Sequence, residues 1–178
     1  KHSVNAYPKD FIPYADGEFY TKTNKAEIYQ PSWMKKGLKP VPSYYRAAES
    51  VGGSSGLDKK YPLAVVQRKL NRSVHSTFSP LHLIANATRD HACILMNTQD
   101  AAQRDIVSGN RVVVFNDRGE HHAEAIVTDL IMQGVICAEN GWREQDGGSS
   151  SYVTNDASGP IAGEHCCNET LADVRKEY

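Results

Sequence analysis

The chain has 178 residues, with 20 Lys and Arg against 21 Asp and Glu for a formal charge of −1, and it is 40% hydrophobic and 23% charged. That composition is ordinary for a globular protein, and a chain this long buries about 70% of its unfolded surface, so general disorder is excluded and a single core is the default. No global field recruits nucleic acid or anionic lipid, no apolar run approaches the roughly 20 residues of a membrane-spanning helix, and four cysteines without a CxxC pair make no disulfide scaffold.

The opening Lys1-His2-Ser3-Val4-Asn5 resembles neither a signal peptide nor a natural start, which points to a piece of something longer. Residues 1–60 carry five of the eight prolines and little periodicity, and they read as a wrapping arm. Within it, residues 25–29 form a short extended candidate and residues 32–36 a possible helical turn. Val51-Gly52-Gly53-Ser54-Ser55-Gly56 predicts a flexible connector, and residues 61–178 form the folded domain.

The run Leu63-Ala64-Val65-Val66 is short, apolar and rich in β-branched residues, so it predicts a buried strand that ends at Gln67. Ser79 and Pro80 supply an N-cap and a first-turn proline for a helix over 81 to about 90. A second buried strand is predicted over 92–96. Thr98 can cap a short helix through Ala101, Ala102 and Arg104, leaving Asn97 at the strand-to-helix junction. Asn116-Asp117-Arg118-Gly119 between 111–115 and 120–127 is the strongest hairpin signal, followed by strands over 135–138 and 172–176. Residues 140–163, rich in Gly, Ser, Asn and Asp, predict a long loop, of a length that is typically either functional or disordered. The pattern implies a compact, barrel-like β core with helical crossovers.

Several clusters could carry chemistry. The stretch from Gln67 to Ser76 holds Arg68, Lys69 and Arg72 for a local charge of +3, with Ser73, His75 and Ser76 as further donors. Such a loop can hold phosphates, because Arg offers paired planar donors and Lys a point charge; the alternative is a solvated basic loop. Asn97 and Asp100 either face a ligand at a helix start or serve only as caps. His75-Ser76 lacks an orienting carboxylate for nucleophilic catalysis. His121 and His122 point to opposite sides of a strand, as suits a solvated hairpin, and no His/Cys/Asp/Glu spacing matches a zinc or calcium site. Cys93 and Cys137 lie in apolar runs as buried free thiols, whereas Cys166 and Cys167 diverge too far to share a metal. Both GxGxxG and the Walker motif are absent.

Read together and in order, YPLAVVQRKLNRSVHSTF, LMNTQDAAQRDIVSGNRVVVFNDRGE and GVICAENGW resemble the C-terminal domain of the dimethyl sulfoxide reductase family of molybdenum enzymes. EFYTKTNKAEIY stands where that family carries a Thr-x-x-Gly-Lys-x-Glu-like stretch, followed by Pro40-Val41-Pro42-Ser43-Tyr44. The sequence departs from the family at Ser79-Pro80, at Thr98 in place of the proline of Asn-Pro-x-Asp-Ala, and at Asn110 in place of the aspartate of Gly-Asp.

The resemblance implies a mainly β fold with short helices, a double-psi β-barrel preceded by an irregular arm, whose loops contact bis-molybdopterin guanine dinucleotide. The contacts it implies are Gln67, Arg68, Lys69, His75, Ser76 and Thr77, then Asn97 and Asp100, then Trp142 and the stretch 151–155 ending at Asn155. The family's metal ligand and any iron–sulfur cysteines lie in other domains, so the implied partners are the rest of a catalytic subunit and an iron–sulfur electron-transfer subunit. By this reading the fragment alone does no catalysis. An adaptor-type double-psi barrel that binds a protein partner without cofactor is the alternative.

Overall fold

A computed structural model describes residues 7–70, 74–78, 81, 91–144 and 148–178. The chain divides into two compact units, Lys1–Tyr44 and Tyr45–Tyr178. Among its described residues the first unit holds turns, one helical turn α1 (Pro31–Met34) and two stacked aromatic pairs, Tyr7–Phe11 and Tyr14–Phe19, each with ring centroids 4.8 Å apart. The predicted helical turn is present and starts at Pro31, whose fixed φ suits a first helical position. Residues 25–29 belong to no strand.

The second unit is built on six described strands: β1 (Leu63–Arg68), β2 (Cys93–Met96), β3 (Arg111–Phe115), β4 (Glu120–Val127), β5 (Val135–Glu139) and β6 (Thr170–Lys176). They close into a barrel in the order β1-β5-β2-β4-β3-β6. The pairs β1/β5 and β2/β4 are parallel and the other four antiparallel. This is the double-psi barrel that the resemblance implies. Parallel neighbours cannot be joined by tight turns, so the chain makes long crossovers between them. The predicted helix over 81–90 falls on residues that, apart from Leu81, lie outside the described set.

Alternation along each strand decides what faces inward. Leu63 and Val65, Ile94 and Met96, Val112 and Val114, Ala123 and Ala125, Ile136 and Ala138, and Ala172 and Val174 fill the interior. Each large aliphatic contributes about 1.5–3 kcal/mol by leaving water. The alanines keep facing strands close enough to fill so narrow a barrel. Ala101, Ile106 and Val153 join this core from outside the strands.

The hairpin forms where predicted. Phe115 pairs with Glu120, the Asn116 amide donates to the Gly119 carbonyl at 3.1 Å, and Asn116 Oδ1 accepts from the Arg118 amide at 2.9 Å. Helix α2 (Thr98–Ala102) also forms, but its cap is Asn97, whose side chain accepts from the Gln99 amide, while Thr98 Oγ1 donates to Asp129 at 2.5 Å. The Asn side chain reaches the second amide from the cap position, whereas Thr98 is already helical.

Residues 51–56 form a hydrogen-bonded turn where the composition predicts a flexible connector. A Cβ on Gly53 would lie 2.3 Å from the Ala48 carbonyl, so glycine there is a packing requirement. Just before it, Glu49 is buried; it pairs with Arg118 and accepts from the Leu171 amide at 2.8 Å.

The second departure is His121. Its neighbour His122 faces outward and bonds Glu177 at 2.7 Å, as a solvated hairpin requires, but His121 is fully buried beside inward-facing Ala123. Neither of its ring nitrogens has a partner among the described residues. Burial first, then the nearby charges of His122 and Arg111, push its pKa from 6.5 down to about 4. The unfolded chain therefore takes up this proton near pH 6.5 while the folded protein resists until about pH 4. Stability present above pH 6.5 is lost as the pH falls through that window, by about 3 kcal/mol from this residue. Urea denaturation at pH 7 and pH 4.5 should show that drop, and His121→Phe should remove most of it.

Candidate functional site

β1 and β5 run side by side in register from Ala64 opposite Val135 to Arg68 opposite Glu139, and antiparallel β2 meets β5 with Ile94 opposite Ala138. The ends of β1 and β5 and the start of β2 therefore share one rim. At its centre Glu139 is 2% exposed. A carboxylate that deep needs donors on both oxygens. Its Oε1 accepts from Arg68 Nη2 at 2.6 Å, and its Oε2 accepts from the Cys93 amide and from Trp142 Nε1, both at 3.3 Å.

Arg68 keeps 41% of its side chain exposed, and Lys69 beyond it is exposed. The next residue after Glu139 extends the pairing, with the Asn140 amide donating to the Arg68 carbonyl at 3.0 Å. Asn140 Oδ1 is buried without a partner among the described residues.

Gly141 (φ +96°) brings the first loop to this rim. A Cβ there would lie 2.8 Å from the His75 carbonyl carbon and oxygen, so only glycine lets residues 74–78 pass so close. His75 itself is left-handed, at φ 52°, and the Thr77 amide closes the turn onto the Val74 carbonyl. His75, Ser76 and Thr77 are all exposed beside the Gly141-Trp142 segment. Arg72 and Ser73 lie outside the described residues.

The other flank is the late loop. Gln67 Nε2 donates to Thr154 Oγ1 at 2.8 Å, and the Gln67 amide donates to Asn168 Oδ1 at 3.2 Å. Asn155 spends its side chain on this loop: Nδ2 donates to the Glu169 carbonyl and Oδ1 accepts from the Ala157 amide. Ser151 lies in the 3₁₀ turn Ser150–Tyr152 and is exposed.

The rim thus brings together Gln67, Arg68, Lys69, His75, Ser76, Thr77, Trp142 and, through Thr154, Asn155. Asn97 and Asp100 stand elsewhere. β2 is antiparallel to β5 and Met96 sits opposite Ile136, so both lie at the opposite end of the barrel. There Asn97 Nδ2 donates to the Ile131 carbonyl at 2.8 Å, and buried Asp100 accepts from the Gly134 amide at 2.6 Å, which fastens α2 to the segment entering β5. Glu139, Asn140 and Gly141 are the residues that single-sequence reasoning does not assign a role. Their one signal is an acid, an amide and a glycine ending an apolar strand.

The free thiols of Cys93 and Cys137 are buried as predicted, and burial raises the Cys137 pKa, which keeps it protonated and unreactive.

Fold and rim define a small β-barrel domain whose strand ends gather polar groups at one end. Residues 63–171 match the family model described as "Molydopterin dinucleotide binding domain". The chain belongs to this family, and its relatives place it as the molybdopterin dinucleotide-binding domain of the dimethyl sulfoxide reductase family. It is 32% identical over 173 residues to dimethyl sulfoxide reductase DmsA of Escherichia coli (strain K12), covering 88% of this chain and 21% of the relative. Identity to the dimethyl sulfoxide/trimethylamine N-oxide reductase of Cereibacter sphaeroides is 30% over 187 residues, covering 94% and 23%. The chain spans about a fifth of the length of these relatives. Acetylene hydratase from Pelobacter acetylenicus shares the fold with a TM-score of 0.77 at 19% identity, over 94% of this chain and 25% of that one.

The residues present fit such a dinucleotide. Lys69 and the guanidinium edge that Arg68 leaves to solvent suit pyrophosphate. A buried acceptor without a donor among the described residues, Asn140 Oδ1, complements the N–H edges of a pterin or guanine.

Gly141→Ala tests the geometry that joins the first loop to β5. Positive φ and the clash with His75 together should lower stability by about 2 kcal/mol and speed amide exchange over 74–78. Gly134→Ala, with positive φ but open space at its Cβ, should lose less and leave that exchange unchanged. Equal effects from the two variants would show that the close approach is dispensable.

Proposed function

We propose that this chain is the cofactor-holding domain of a larger molybdenum oxidoreductase and grips bis-molybdopterin guanine dinucleotide at the rim formed by β1, β5 and the 74–78 loop. The observation that carries this reading is the convergence of Arg68, Lys69, the Asn140 oxygen that has no partner among the described residues, and the His75 loop on one end of the barrel, in a chain whose net charge is only −1. When bound, the cofactor supplies oxygen-atom or electron transfer at molybdenum.

The chain's own groups bind and orient. Lys69 and Arg68 neutralise phosphate, and His75, Ser76 and Thr77 add hydrogen bonds from an exposed turn. Trp142 is held by Glu139 and packed against the core edge, so it offers a rigid aromatic wall. Gln67 and Asn155 hold the late loop in place beside them. The arm of residues 1–60 and the barrel of residues 61–178 pack on the remaining domains of the catalytic subunit, which provide the metal's protein ligand. An iron–sulfur subunit is the electron partner.

Calorimetric titration of the chain with guanosine diphosphate, and with cofactor extracted from a holoenzyme, tests the reading. Saturable binding should weaken about tenfold or more in Lys69→Ala, the loss of one charged hydrogen bond worth roughly 1.5–3 kcal/mol. Arg68→Ala should weaken it as well, with some loss of stability because Glu139 loses its ion-pair partner. Binding by Lys69→Ala and Arg68→Ala that matches the unmodified chain would move the cofactor away from this rim.

A further inference from the structure

We propose that His91, Cys93 and Glu124 form a site for one divalent transition-metal ion, with Zn²⁺ the best match. Among the described residues they are the group of three metal-ligating types whose donor atoms gather, all within 4.8 Å of one another. The site does not depend on the cofactor reading above.

The fold itself makes the cluster. His91 and Cys93 are two apart at the entrance to β2, and a two-residue spacing in extended chain puts both side chains on one face. Parallel β4 sets Glu124 opposite Cys93 in the ladder. The neighbours of these residues, Ala92 and Ile94 on one strand and Ala123 and Ala125 on the other, point into the core. The three ligating side chains therefore project together from the outer face of the barrel. Sequence spacing cannot reveal this, because Glu124 lies 33 positions beyond His91.

The donor set is one nitrogen, one sulfur and one oxygen. Zn²⁺ accepts that mixture at about 2.0–2.3 Å, and three protein ligands leave the fourth tetrahedral position to water or another group. Tetrahedral bonds of that length separate the ligand atoms by roughly 3.3–3.8 Å. His91 Nε2 and Glu124 Oε2 stand 3.0 Å apart, so the metal spreads that pair slightly and draws the thiolate in by about an ångström, within the reach of side-chain rotation.

On binding, the Cys93 thiol gives its proton to solvent. Thiolate and carboxylate then carry two negative charges that offset the ion. Thiolate and imidazole also argue against Mg²⁺ and Ca²⁺, which prefer oxygen. His91 and Glu124 each keep 31% of their side chains exposed, which gives the ion a route from solvent, whereas Cys93 is wholly buried and shields the metal–sulfur bond.

The nearby charges are compatible with an ion there. Arg111, opposite Glu124 on β3, is drawn off by Glu177 at 3.5 Å, and Arg68 is held by Glu139. Glu139 also accepts the Cys93 amide, which fixes the backbone beneath the thiol.

The test uses the full chain under reducing conditions, titrated with Co²⁺ as an optical probe. One equivalent should produce a thiolate-to-cobalt charge-transfer band with strong tetrahedral d–d absorption, and Zn²⁺ should displace both. Cys93→Ser should abolish the charge-transfer band. Because Cys93 is buried and its variant can fail to fold, the partly exposed ligands provide the second arm. Glu124→Gln and His91→Gln should each weaken Zn²⁺, measured against a chelating dye, at least about tenfold while the circular dichroism stays native. Absence of the band in the unmodified chain would overturn the site. So would a band that survives Cys93→Ser or needs Cys166 and Cys167, or Zn²⁺ affinity unchanged in both surface variants.

Discussion

The burial of the Glu139 carboxylate constrains everything at the rim. Taking such a charge out of water costs several kcal/mol unless its oxygens are saturated with donors. Among the described residues, donors come from three different places: the guanidinium ending β1, the amide opening β2 and the indole after β5. Once that requirement is met, the relative positions of β1, β5, β2 and Trp142 are no longer independent. The Asn140 oxygen, unpartnered among the described residues, and the close approach of Gly141 to His75 sit on the segment that this carboxylate fixes.

That interaction also changes the electrostatic meaning of the basic loop. The sequence gives the stretch from Gln67 to Ser76 a charge of +3, but Arg68 spends part of its charge on Glu139. Of the described cations in this stretch, Lys69 is then the one more open to an anion, and Arg68 becomes a two-sided group, structural on its inner edge and available on its outer one. A planar guanidinium with five donors can fill both roles at once, which an ammonium cannot do with the same geometry.

Local patterns were legible in the sequence, and long-range ones were not. The hairpin at Asn116 to Gly119, the β-branched run starting at Leu63 and the strand ending at Met96 follow from neighbours within a few residues. The double-psi closure entered through family resemblance, because parallel pairs such as β1/β5 unite residues about 70 positions apart. The same separation hid Glu139, whose partner Arg68 is 71 residues away, and Glu49, whose amide donor Leu171 is 122 residues away. His121 departs from its expected solvent exposure for a different reason. A His-His pair on a strand reads as polar on both faces, yet period-two alternation inside a closed barrel forces one of them inward whatever its polarity.

Strand direction explains why Asn97 and Asp100 part company with the rim. β2 runs parallel to β4 but antiparallel to β5, so the end of β2 lies beside the start of β5, and whatever follows Met96 is carried to the far end. The amide and acid there meet needs of their own: an exposed helix start, the Ile131 carbonyl and the Gly134 amide. Residues beginning β2 are left at the rim end, where the parallel register with β4 sets Cys93 against Glu124. One strand direction therefore sends the helix-capping groups to one end and the metal-ligating types to the other. Neither placement can be inferred from the spacing of these residues along the chain.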